Sequence, residues 1–123
     1  MKLPLSPCNR AGARLLLALA LLLVTWLMLS PAVGQGGIPI NDKVAHALVF
    51  GLLAMLTHAS WPERDFDWRL GVPLLAYGIA IEVIQYFVPG RFFSLADILA
   101  DAAGILLYLF LLPRLLPRLR THG

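Results

Sequence analysis

Residues 70–88, LGVPLLAYGIAIEVIQYFV, read as a membrane-spanning helix with one carboxylate, Glu82, set well inside it. At 1.5 Å per residue the stretch is near the minimum that crosses a hydrocarbon layer roughly 30 Å thick. A charge at that depth costs roughly 2.5–3.5 kcal/mol on insertion scales, so it is rarely placed without a use. Lipid offers no partner to backbone amides, and a single stretch of this kind satisfies its own only as a helix.

Working outward, three more apolar stretches cover residues 15–33, 44–60 and 95–112. The chain as a whole is 59% hydrophobic and 14% charged. A soluble domain averages about 45–50% and about 25%. The fold class expected is therefore all-α, an integral membrane bundle of four transmembrane helices in one domain. Residues 1–14 and 113–123 are expected to be basic cytoplasmic tails around a transmembrane domain at 15–112. The first stretch has a basic start and small residues near Gly34, as a signal peptide has. Its apolar run exceeds the usual length of about 7–15 residues, which favours a retained helix.

Breaks between the stretches are short. Residues 34–41 are rich in Gly and Pro, Pro62 stops the second helix, and Pro89-Gly90 cannot continue the third. Ser94-Leu95-Ala96-Asp97 has the spacing of a capping box and sets the start of the fourth. Lys2, Arg10, Arg14, Arg64, Arg69, Arg114, Arg118 and Arg120 fall on one side of such a bundle, against Lys43 and Arg91 on the other. The excess predicts cytoplasmic N- and C-termini in a bacterial inner membrane. No nucleic-acid-binding module is present, and the lone Cys8 allows neither an intrachain disulfide nor a zinc cluster.

With that topology the polar residues of three helices meet at the outer end. Asp42, Lys43 and His46 lie in the first turns of the second helix, and Glu82 and Gln85 near the end of the third. Arg91 lies in the turn, and Ser94, Asp97 and Asp101 open the fourth. Gly71, Gly78, Glu82 and Gln85 share an arc of about 60° at 100° per residue. Asp97, Asp101, Gly104 and Tyr108 do likewise. Small residues on a polar face let helices approach closely, so these arcs are expected to face one another.

Blander roles weigh on several of them. Asp42 and Ser94 suit helix starts, and Lys43 suits the interface. His58 is expected at the interface of the inner end, and Phe92 and Phe93 as anchors. Glu82, Gln85 and Asp101 lie too deep for capping, which favours a site. With His46 neutral, Lys43 and Arg91 face Asp42, Glu82, Asp97 and Asp101. Shared protons or a divalent cation would neutralise the excess. No cofactor is assigned, and no dedicated metal motif is present.

The strings Asp42-Lys43-Val44-Ala45-His46, Glu82-Val83-Ile84-Gln85 and Arg91-Phe92-Phe93-Ser94-Leu95-Ala96-Asp97 resemble, in order and spacing, those of VanZ-like membrane proteins. The resemblance covers about residues 40–112. It departs at Asp101, where that family often carries Asn. It implies a small polytopic envelope protein whose founding relative is associated with resistance to the glycopeptide teicoplanin. On this reading the outward site binds an envelope lipid headgroup, a lipid-linked precursor or a glycopeptide-type drug, with the bilayer as the other partner. The lack of a nucleophile motif, HExxH or phosphate-cradling loop favours binding over catalysis. An intramembrane acid/base or metal-assisted enzyme acting on a lipid phosphate, and a structural or partner-binding bundle, are the alternatives.

Overall fold

The computed structural model describes residues 7–29, 42–62, 65–89 and 94–115, with backbone alone at Pro7, Cys8, Asp42 and 112–115. Among these, all regular structure is helical: α1 (Pro7–Leu29), α2 (Asp42–Ser60), α3 (Trp68–Gln85) and α4 (Leu95–Leu115). The boundaries fall close to those expected, except that α1 begins at Pro7 and so places Arg10 and Arg14 in the helix instead of a tail. Residues 30–33, expected to end it, lie outside the described residues.

Side-chain contacts fix the directions of the four helices. Arg14 Nε, early in α1, donates to Ser60 O at the end of α2, 2.8 Å away. Gln85 Nε2, at the end of α3, donates to Met28 O at the end of α1, at 2.6 Å. Lys43 at the start of α2 pairs with Asp97 at the start of α4. The bundle therefore runs up, down, up, down, and the polar starts of α2 and α4 share an end with the finish of α3.

Local caps begin α3 and α4, at opposite ends of the bundle. Asp67 caps α3, its Oδ1 accepting from Arg69 N at 2.9 Å. Ser94 caps α4, its Oγ accepting from Asp97 N at 3.2 Å. In a full capping box the acid at the third position reaches back to the cap's own amide. Here that amide, Ser94 N, donates instead to Glu82 Oε2 of α3 at 3.0 Å. The expectation that Glu82 lies too deep for capping is thus corrected: it caps a neighbouring helix. The exchange leaves the Asp97 carboxylate to face α2.

α2 is the hub and packs most extensively on α4, then on α1. A Cβ on Gly51 would stand 3.4 Å from Gly104 O, and one on Gly104 would collide with Ala47 O. Backbone-to-backbone approach is what small residues at a helix interface permit. Leu17, Phe50, Leu53, Ala54, Phe66, Leu70, Leu74 and Ile105 form the apolar core.

The opposite end carries an arrangement the sequence misplaced. His58 is fully buried, not interfacial. Its Nδ1 lies 3.0 Å from Tyr108 Oη, and Phe66 stands edge-on to the Tyr108 ring at 5.0 Å between centroids. Burial of His58 follows from its direction. It shares the face of α2 that meets α4, where the Tyr108 hydroxyl supplies the partner a buried imidazole requires.

The surface is apolar on every helix. Leu22 and Trp26 of α1, Leu48 and Leu52 of α2, Val72 and Val83 of α3, and Leu106 and Phe110 of α4 are all exposed. The segments Asn9–Leu29 and Lys43–Ser60 are by themselves long and apolar enough to cross a membrane. The four-span expectation is met by apolarity in these two only. α3 contains Arg69, Glu82 and Gln85, and α4 contains Asp97 and Asp101.

Candidate functional site

At the shared end, side chains from α2, α3 and α4 converge in the interior. Lys43 Nζ pairs with Asp97 Oδ1. His46 Nδ1 lies 2.7 Å from Asp101 Oδ1, within hydrogen-bond distance. On the other side of the ring, His46 Nε2 stands 3.5 Å from Asp97 Oδ2. His46, Glu82, Asp97 and Asp101 are all buried, Glu82 and Asp101 to within 1% of complete. Lys43 is the half-exposed member and reaches toward the surface.

One atom stands out. Glu82 Oε1 is buried and makes no hydrogen bond, while Oε2 accepts from Ser94 N. Leaving a buried polar atom unpaired costs about 1–3 kcal/mol, more for a charged group. Almost all buried polar atoms in folded proteins are satisfied, so an exception calls for an explanation. One ligating atom from each of His46, Glu82 and Asp97 lies within 4.8 Å of the others.

Asp101 is held from two sides. His46 binds it from α2, and α3 presses against it at Gly78, where a Cβ would lie 2.6 Å from Asp101 Oδ2 and 3.1 Å from the Phe50 ring. The glycine makes room for the carboxylate, which is the reason for a small residue on the polar arc of α3.

The nine residues singled out from sequence divide as follows. Lys43, His46, Glu82, Asp97 and Asp101 meet in one cluster. Ser94 touches it through its backbone amide and otherwise caps α4. Gln85 is buried but turned to α1, where it binds Met28 O. The side chain of Asp42, and Arg91 altogether, lie outside the described residues, as do Phe92 and Phe93. The His58–Tyr108 pair was missed. The signal that finds it is Tyr108 on the same arc of α4 as Asp97 and Asp101, facing the arc of α2 that carries His46.

An apolar groove of about 340 Å³ lies away from this cluster, among Leu17, Leu21, Trp61, Leu70 and Tyr77. Arg69, Thr57 and Tyr77 supply its polar lining, and no residue of the cluster lines it.

The fold and the cluster together define a class: a small helical protein, apolar outside, with ionisable groups gathered inside one end. The family model described as VanZ/LLP1 matches residues 19–116, and the chain belongs to that family. No curated protein and no solved structure matches it significantly.

Proposed function

We propose that the chain is a four-span protein of the bacterial cytoplasmic membrane. Its Glu82 cluster lies just beneath the outer surface and receives the polar headgroup of an envelope lipid or lipid-linked precursor. The observation that carries this reading is Glu82: fully buried, one oxygen unpartnered, at the end of a bundle whose exterior is leucine, valine and phenylalanine. Exposed apolar patches larger than a few hundred Å² are rare on soluble monomers and mark membrane or protein contact. On all four helices here the exposed faces are largely apolar, which supports four spans although α3 and α4 carry Glu82, Asp97 and Asp101 in the interior.

Contacts of α1 with each of α2 and α3 support a retained first helix. Beyond Arg14 and Gln85, Tyr77 Oη lies 2.5 Å from Thr25 Oγ1. Orientation rests on Arg10, Arg14 and Arg69 at one end against Lys43 at the other. With both termini cytoplasmic, a reporter fused at Gln35 behaves as extracytoplasmic; a cytoplasmic signal there reverses the topology. Lys43, with Arg91 in the adjoining turn, supplies the positive charge for an anionic headgroup.

The reading separates site from scaffold by substitution. Gln at position 82 keeps an oxygen for Ser94 N and removes the charge. Glu82→Gln is expected to change stability by no more than about 1 kcal/mol, the net scale of one hydrogen bond. Overproduction of the wild-type protein is expected to shift susceptibility to envelope-directed drugs or the level of lipid-linked intermediates. Glu82→Gln at equal abundance is expected to do neither. If deletion and overproduction of the wild-type chain both leave those measures unchanged, the headgroup reading fails. A structural lock is favoured only for Gln85, whose bond to Met28 O joins two helices without reaching the cluster.

A further inference from the structure

We infer that His46, Glu82 and Asp97 form a binding site for one divalent transition-metal ion of the zinc or manganese type. The inference rests on treating the cluster as a site, as above, but needs no headgroup. Four observations carry it.

The donors have the right chemistry: one imidazole and two carboxylates, from three different helices, with ligating atoms within 4.8 Å of one another. Zinc–nitrogen and zinc–oxygen bonds of about 2.0–2.1 Å at a tetrahedral angle put two ligand atoms about 3.3 Å apart. His46 Nε2 and Asp97 Oδ2 stand 3.5 Å apart, close to that spacing and long for a hydrogen bond.

Second, the residue that carries the orphan atom belongs to this set. Glu82 Oε1 is buried without a partner, and a cation beside it supplies the compensation the protein does not.

Third, the imidazole is already oriented for the task. Metal-ligating histidines almost always give their other ring N–H to a carboxylate or carbonyl, which fixes the tautomer. Asp101 Oδ1 stands 2.7 Å from His46 Nδ1, the place of such a carboxylate, and with the proton on Nδ1 the lone pair of Nε2 faces Asp97. Asp97 is divided in the same way: Oδ1 goes to Lys43, and Oδ2 faces His46.

Fourth, the charges balance. Among the described side chains, the carboxylates of Glu82, Asp97 and Asp101 against Lys43 leave an excess of two negative charges around a neutral His46, and a dication cancels it. Burying uncompensated charge is far more costly than burying a neutral, bonded set. Three protein ligands leave a fourth position for water or for an oxygen of a bound headgroup.

The test uses the full-length protein in detergent, free of lipid additions and with any affinity tag removed. Zn²⁺ and Mn²⁺ are titrated calorimetrically, and retained metal is counted after desalting. One ion per folded chain is expected. Glu82→Gln and Asp97→Asn are expected to bind at least tenfold more weakly. Asp101→Asn, which is not a ligand but removes one negative charge beside the site and weakens the acceptor that orients His46, is expected to weaken binding by about 10–100-fold. X-ray absorption of the zinc-loaded wild type is expected to show an imidazole with oxygen ligands at about 2.0–2.1 Å. It needs no variant to fold. A folded wild type that retains no stoichiometric ion, wild-type affinity in Glu82→Gln, or a sulfur ligand from Cys8 overturns the proposal. Absence of the ion with the envelope phenotype intact removes the metal and leaves the headgroup reading. A bound ion with no envelope phenotype does the reverse.

Discussion

Asp101→Ala is expected to destabilise the folded protein by about 1–3 kcal/mol, the cost of leaving a buried hydrogen-bonding group without its partner. The side chain is almost wholly enclosed, with His46 on one side and Gly78 on the other. Truncation removes the partner of His46 Nδ1, which is buried. It also leaves a void where α3 and α4 meet, because Gly78 has no side chain to fill it. The measurement is unfolding in mixed micelles, with helicity or the fluorescence of Trp26 as the readout. Asp101→Asn separates charge from hydrogen bonding. The amide oxygen still accepts from His46, so most of the stability is expected to survive, consistent with the resemblance noted at this position. An Ala variant as stable as Asn would show that His46 does not depend on this bond.

How far the sequence reveals this arrangement differs from residue to residue. Glu82, Asp97 and Asp101 are conspicuous because a carboxylate among leucines has few explanations. Their meeting follows from alternating helix direction once the breaks at Pro62 and Pro89-Gly90 are recognised, and the structure brings them together. The partners are less legible. That Ser94 N would turn to Glu82, freeing the Asp97 carboxylate for Lys43 and His46, depends on how the α3–α4 turn brings a third-helix acid beside the cap. Helical spacing carries no such information. Gln85 lies on the expected arc of α3, yet its amide finds Met28 O on α1, because a long side chain at the arc's edge can reach either neighbour. His58 escaped for a related reason. Near a helix end an imidazole fits water or interior equally well, and only the facing Tyr108 decides. The early start of α1 has a plainer cause: Arg10 and Arg14 favour helix nearly as well as leucine does, so polarity alone did not mark the boundary.

Among the described glycines, Gly104→Ala is expected to be the most damaging addition of a single methyl group. The new Cβ would fall on Ala47 O, and also lie 2.9 Å from Gly51 N, both of them backbone atoms of α2. No rotamer change relieves such a contact, so α2 and α4 must move apart. Overpacking of this kind costs typically about 1–3 kcal/mol and sometimes more. Two companion variants make the explanation testable. Gly51→Ala places its Cβ 3.4 Å from Gly104 O, close enough to need only a small adjustment, and is expected to be milder. Gly12→Ala meets nothing within 4 Å, and the helix propensity gained is expected to leave stability unchanged or raise it by about 0.5–1 kcal/mol. The order Gly12, Gly51, Gly104 is thus one of rising damage under the same mixed-micelle unfolding. The effect also reaches the cluster. Lys43–Asp97 and His46–Asp101 both bridge α2 and α4, so a displacement of under an ångström at Gly104 acts on ligands two turns or less away. Gly104→Ala is therefore expected to lose divalent-metal affinity along with stability. Wild-type stability in this variant would show that the backbones of α2 and α4 do not approach closely at this point.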